Sequence, residues 1–177
     1  MKYLRVILKD NLNVDNIENL GVLKASEYAF YDLVYLNKNG ASITEDTLKI
    51  RVYQKNEWDS KAVLVIQKRA IVENGAKIDK VLTREQFDTE AEAIEYVSKN
   101  LAQDYEFSFK FAKSGIEYKN DNIRVWVEDV ENIGITLELE AEDTNILNNF
   151  IKHFNVKERL DISLPEYYYI NYVLRGE

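Results

Sequence analysis

The sequence predicts an α+β protein: a mainly antiparallel sheet of about eight strands, closed or nearly closed into a barrel, with a few flanking helices. Three observations carry that prediction. Strand-length apolar segments recur along the chain, in two groups of about four, around one strong helical pattern. No Pro/Gly/Ser-rich linker and no internal repeat divides the chain, so residues 1–177 read as a single domain. At least four of the strands carry a polar face that mixes cations with carboxylates.

Taken in order, "KYLRVIL" (2–8) reads as the first strand, the aromatic-rich "SEYAFYDLVYL" (26–36) as the second and "DTLKIRVYQK" (46–55) as the third. "KAVLVIQKRA" (61–70) is nearly continuous in apolar residues, which suits a strand buried on both faces. "DTEAEAIEYVSKNL" (88–101) is the strongest helix. Asp88 or Thr89 can cap it, acids fill its first turn, and Ala93, Ile94, Val97 and Leu101 recur at helical spacing. Strands resume with "YEFSFKFAK" (105–113), then a hairpin over 115–129 turning at "KNDN", then "GITLELE" (134–140). A helix over 143–154 starts at Asp143 or Thr144, and a short final helix starts near Pro165.

Composition narrows the function. Hydrophobic residues make up 46% and charged residues 31% of the chain, which fits a folded, non-membrane protein. The apolar stretch near the N-terminus is too short for a signal peptide, so a cytoplasmic location is expected. There is no cysteine, which excludes disulfides and thiolate chemistry, and a single histidine, His153, gives little basis for imidazole catalysis. A net charge of −8 without a basic block makes the chain a poor partner for nucleic acid. A cation cluster in a cleft can still bind a small anion. Nothing in the sequence sets an oligomeric state.

The charged faces are the informative part. On 48–55, Lys49, Arg51, Tyr53 and Lys55 share one side; on 123–128, Arg124, Trp126 and Glu128 do; on 135–140, Thr136, Glu138 and Glu140 do. On 106–112, Glu106, Ser108 and Lys110 oppose three phenylalanines. Two readings stand side by side. One is a sheet with a solvated face whose charges pair across strands. The other is a barrel whose polar faces line a lumen, with Lys and Arg on phosphates and carboxylates on a divalent cation.

"RVWVEDVENIGITLELEAED" resembles the distal half of the CYTH superfamily, the triphosphate tunnel metalloenzymes, which includes class IV adenylyl cyclases, thiamine triphosphatases and tripolyphosphatases. The elements that carry the resemblance are Arg124, Glu128 (where aspartate is usual), Ile133-Gly134, and the E-x-E of Glu138 and Glu140. "LKIRVY" resembles the family's L-R-I-R strand, and "VLVIQKRA" the strand that ends in a lysine, here Lys68. The resemblance implies phosphate binding by Lys49, Arg51, Lys68, Lys110 and Arg124. It implies a metal, Mg²⁺ or Mn²⁺, on Glu128, Glu138 and Glu140, and catalytic roles for Lys9, Glu138 and Glu140. For the strand after the central helix, Lys113 is the alternative to Lys110.

One departure bears on function. The family's first strand carries E-x-E-x-K; here the stretch is Arg5-Val6-Ile7-Leu8-Lys9, which keeps the lysine and replaces both glutamates. The expectation is therefore binding of a triphosphate or nucleotide in a barrel lumen. Metal-dependent hydrolysis, if it survives, is expected ahead of cyclisation. The alternative is a catalytically inactive module on the same scaffold, binding a phosphorylated ligand or a protein partner. The aromatic clusters at Tyr28–Tyr35 and Tyr167–Tyr172 motivate that alternative.

Overall fold

The computed structural model describes residues 1–56, 63–73 and 76–176. In chain order the strands are β1 (Lys2–Leu8), β2 (Leu23–Asn37), β3 (Asp46–Asn56), β4 (Val63–Glu73), β5 (Ala76–Phe87), β6 (Tyr105–Lys119), β7 (Ile123–Val130), β8 (Gly134–Ala141) and β9 (Val156–Leu160). The helices are α1 (Glu90–Asn100), α2 (Thr144–Ile151) and α3 (Leu164–Tyr168). A 3₁₀ turn spans Ile17–Leu20, and a π-helical turn over Tyr169–Val173 follows α3. Among the described residues no helix is long and apolar enough to cross a membrane.

The strands form one sheet in the order β5-β4-β3-β2-β6-β7-β8-β1-β9. This corrects the strand count. There are nine strands rather than eight, with β5 and β9 at the edges of the hydrogen-bonded order and no closing pair among the described residues. Two unexpected strands are those edges, while the expected strand at 105–113 and the first arm of the 115–129 hairpin are one strand, β6. Of β5, Asp79–Leu82 and Arg84–Gln86 are exposed; of β9, Lys157, Glu158 and Arg159 are exposed. An edge strand buries little, so it needs no apolar alternation and leaves no periodic signal. The expected strand at 61–70 begins two residues outside the described residues. From Val63 to Gln67 every residue is buried, as the unbroken apolar run requires.

The chain divides into two compact units, Met1–Ala29 with Lys113–Asp161, and Phe30–Ala112 with Ile162–Glu177. In the first, Val6, Leu137, Leu139 and Val125 on one sheet face join Leu147, Phe150 and Ile151 of α2 in a single core. Those three helix residues recur at i, i+3 and i+4, so they form one stripe, and full burial of each contributes ~1.5–3 kcal/mol. Asp143 caps α2 by accepting from the Asn145 N–H at 2.8 Å. A turn with Asn132 at φ 62° and Gly134 at φ 94° leads into β8, and glycine suits that left-handed backbone.

In the second unit, Leu48, Ile50, Val63 and Val65 pack with Ala93 and Val97 of α1. Thr89 caps that helix in a capping box with Glu92, resolving the choice between Asp88 and Thr89. Ser163 caps α3, and Tyr168 stacks on Phe109 and Phe111, so the terminal aromatics are packing groups.

Candidate functional site

Strand register turns the polar residues of the first unit into a grid. Along β1, β8, β7 and β6, Ile7, Thr136, Glu128 and Gly115 lie in one row. Arg5, Glu138, Trp126 and Glu117 form the next, and Tyr3, Glu140, Arg124 and Lys119 the third. Because strand side chains alternate, all twelve residues share one face. Its middle is not solvated, since Glu117, Glu128, Thr136 and Glu140 are buried, whereas Tyr3, Lys119 and Arg124 at one end are exposed.

Glu128 is the centre of this face. Its Oε1 accepts from the Tyr28 hydroxyl at 2.6 Å and lies 2.7 Å from Lys113 Nζ, and its Oε2 accepts from Arg5 Nη1 at 2.7 Å. Burial alone would raise its pKa, but Lys113 and Arg5 more than reverse that and hold the carboxyl well below the usual range. Gly115 makes the arrangement possible. A Cβ there would come within 2.7 Å of the Tyr28 ring and hydroxyl and 3.0 Å of Glu128 Cγ. Arg5 reaches further, with Nη1 3.3 Å from Thr136 Oγ1 and Nη2 ion-paired to Glu138. Glu117 forms a second cluster, accepting from Arg124 Nε at 2.9 Å and Nη2 at 2.8 Å, and from the Ser26 hydroxyl at 3.1 Å.

In the second unit two buried aspartates, Asp32 and Asp46, gather the donors. Asp32, buried on β2, accepts from Arg51 Nε at 2.8 Å and Nη2 at 2.9 Å, with Lys49 Nζ 3.4 Å away. The Arg51 guanidinium lies 3.6 Å from the Phe30 ring centroid. Burial works against its charge, but Asp32 outweighs that and raises its pKa, so it remains cationic. Asp46 gathers Arg69, Asn37 and the Tyr105 hydroxyl in the same way.

The residues singled out from sequence fall into distinct settings. Glu128 and Glu138 meet at Arg5, with Glu140 one row further along the same face. Arg124 is tied to Glu117, and Lys49 and Arg51 share Asp32. Lys68 is half-buried in β4 at a bulge, opposite Thr47. Lys110 is exposed, its Nζ 3.8 Å from the Tyr31 ring centroid, whereas Lys113 is the β6 cation that reaches a buried carboxylate. Lys9 is exposed just beyond β1, its backbone N–H bonded to the Asn155 carbonyl at 2.8 Å.

The sequence reading did not single out Tyr28, Asp32 or Glu117 as site residues. Asp32 carried a legible signal, a lone acid inside an apolar aromatic strand. Glu117 was obscured by ending the preceding strand at Lys113; carried through Gly115, the alternation places Lys113, Gly115 and Glu117 together.

A divalent cation does not fit these carboxylates as they are arranged. Both oxygens of Glu128 are engaged by Tyr28, Lys113 and Arg5, and the Arg5 guanidinium lies between Glu128 and Glu138. Among the described residues no group of three His, Cys, Asp or Glu side chains is placed to hold a metal. The face instead supplies its own counter-charges.

No family model matches the sequence, and no curated protein does. Solved structures do match in fold. The PH1819 protein of Pyrococcus horikoshii superposes with a TM-score of 0.68 at 13% identity, over 99% of each chain. An adenylyl cyclase homologue of Hippeastrum with a dominant triphosphatase activity has a TM-score of 0.55 at 14% identity, over 85% of each chain. A chain of the Schizosaccharomyces pombe Mediator head module has a TM-score of 0.55 at 15% identity, over 89% of this chain and 98% of that one.

Proposed function

Because the chain has a CYTH-type fold, we propose that it binds a triphosphate- or nucleotide-type ligand and does not hydrolyse it. The observation that carries this is the shared carboxylate of Lys49 and Arg51. One buried Asp32 brings two cations together on the sheet. A guanidinium and an ammonium side by side are well suited to phosphate oxygens. The triphosphatase activity of the Hippeastrum neighbour supports the same ligand class. Lys68 and Lys110 are proposed as further phosphate contacts in the second unit. A cytoplasmic setting belongs to the same proposal.

Hydrolysis is left out because phosphoryl transfer in such a site depends on placed metal and charge, and Arg5 takes up Glu128 and Glu138. The catalytic roles implied for Lys9, Glu138 and Glu140 are therefore not carried forward. The test is calorimetric titration with tripolyphosphate, ATP and thiamine triphosphate, in EDTA and in Mg²⁺ or Mn²⁺, with phosphate release followed in parallel. Binding in EDTA without release is expected. No binding under any condition removes the reading, and metal-dependent release abolished by Glu138→Ala replaces it with a triphosphatase.

A second reading is favoured by a separate observation. The fold likeness to a chain of the Mediator head module supports a non-catalytic module for a protein partner as the alternative. Absence of phosphate-ligand binding together with a stable complex recovered with a defined partner protein would select it.

A further inference from the structure

We infer that the cationic groove between α2 and the edge strand β9 is a docking site for an acidic segment of a partner protein, which adds to β9 as an extended strand. The groove lies in the first unit, on the sheet face opposite Glu128, and the inference does not rest on phosphate binding.

Register places Arg159 opposite Val6, which packs in the core beneath α2, so Arg159 emerges on the helix side of the sheet. There it lines a cavity of about 570 Å³ together with Val156 of β9, Asn148 and Ile151 of α2, and Lys152 at the helix C-cap. Ile151 is buried and Val156 half-buried, which gives the cavity an apolar side, whereas Lys152 and Arg159 are exposed. Glu158, the carboxylate of this strand, is opposite Ile7 and turns to the other face. Lys157 is the extra residue where the β1–β9 register shifts, and it adds a third exposed cation to the edge.

The charges are uncommitted. Among the described residues the side chains of Lys157 and Arg159 make no hydrogen bond or ion pair, and Lys152 donates only to the neutral Asn149 side chain, at 3.0 Å. Three cations without a carboxylate partner therefore cluster on a chain whose net charge is −8. Such a local inversion of charge attracts carboxylates and turns away basic partners. The backbone points to the form of the ligand. No strand lies beyond β9 in the hydrogen-bonded order, so its outer N–H and C=O groups can take up a further strand. Edge charges disfavour addition of basic or apolar strands, and an acidic strand is the one they select. Alternation would bring every second side chain of that strand to the helix side, where its carboxylates meet Arg159 and Lys152.

The experiment is fluorescence anisotropy with a rhodamine-labelled peptide that alternates glutamate with threonine. Its lysine counterpart is measured beside it, as are two versions of the glutamate peptide N-methylated at alternate backbone nitrogens, one in each phase. The wild-type chain is expected to bind the glutamate peptide, more weakly as salt rises, and the lysine peptide at least ~10-fold less tightly. One of the two methylated versions is expected to lose ~10-fold or more, because its methyl groups block the bonds to β9. Arg159→Glu and Lys152→Glu, each shown by circular dichroism to be folded, should weaken the glutamate peptide ~10-fold or more. Arg159→Glu should also bind the lysine peptide more tightly than the wild type does. No binding of the glutamate peptide by the wild type overturns the inference. Equal binding of both methylated versions overturns it too, since a groove that takes any anion would then suffice. So does unchanged binding by the folded variants; should one of them fail to fold, the other decides. Self-association of the wild type in sedimentation that Arg159→Glu abolishes would make a second copy the occupant, and that also overturns it.

Discussion

The two units use the same device, a buried carboxylate that gathers donors from neighbouring strands, but they spread it differently. In the first unit Glu117, Glu128, Glu138 and Glu140 share one face with Arg5, Arg124 and Lys119, and Lys113 reaches it, yet Glu140 makes no pair among the described residues. In the second, the buried aspartates sit on separate strands, Asp32 holding Lys49 and Arg51 and Asp46 holding Arg69. A buried ion is tolerated best when paired and hydrogen-bonded, which the second unit does throughout and the first does at all but one carboxylate. A repeated strand grammar therefore does not imply a repeated chemistry.

The sharpest way to break the comparison is at Glu128. Glu128→Ala removes the acceptor of Tyr28, Arg5 and Lys113 together and leaves two cations without it. Breaking a buried pair in this way costs roughly 3–5 kcal/mol, to be read as a lower urea midpoint at unchanged slope. The same group sets a pH dependence. Its folded pKa is depressed below the ordinary 4.5, so its stabilisation is fully present above that value. It is lost as pH falls from there toward the folded value, because the unfolded chain takes up the proton first. Urea midpoints between neutral pH and pH 3 should fall in the wild type, and the contribution from this site should be missing in Glu128→Gln.

Asp32→Asn probes the other unit and should cost less, about 1.5–3 kcal/mol, since the amide oxygen still accepts one bond from Arg51. Its second effect has the opposite sign. With the carboxylate neutral, Lys49 and Arg51 lose its negative charge, and tripolyphosphate should bind more tightly in calorimetry. A stability loss without any gain in affinity would show that these cations only support the fold.

Gly115→Ala comes next. The new methyl would sit 2.7 Å from Tyr28 and 3.0 Å from Glu128 Cγ, so the tyrosine must move and its hydrogen bond to Glu128 must lengthen. Overpacking of this kind costs ~1–3 kcal/mol in thermal or urea unfolding. Gly115 also illustrates what sequence can reveal. The strands with a buried face, such as β1, β3 and β8, follow from alternation, and α1 from its period and cap. The edge strands β5 and β9 do not, because exposed residues carry no period. On β6, Phe109 and Phe111 share a face with Lys113 and Glu117, so one strand face is apolar in one unit and charged in the other. Parity alone therefore favoured Lys110 as the inward cation. Lys113 and Tyr28 meet at the same Glu128 oxygen although Tyr28 lies more than eighty residues away in sequence, and no local pattern contains that cluster.

The smallest expected effect is the one that best separates pairing from mere burial. Glu140 and Glu128 lie on the same sheet face and are both buried, but only Glu128 has partners among the described residues. Removing a paired buried charge strands its partners, whereas removing an unpaired one strands nothing and relieves desolvation. Glu140→Gln should therefore change unfolding free energy by no more than ~0.5 kcal/mol, or raise stability slightly. A loss above ~1 kcal/mol in the otherwise wild-type chain would mean that Glu140 already has a stabilising partner. The first unit would then pair its buried carboxylates as fully as the second does.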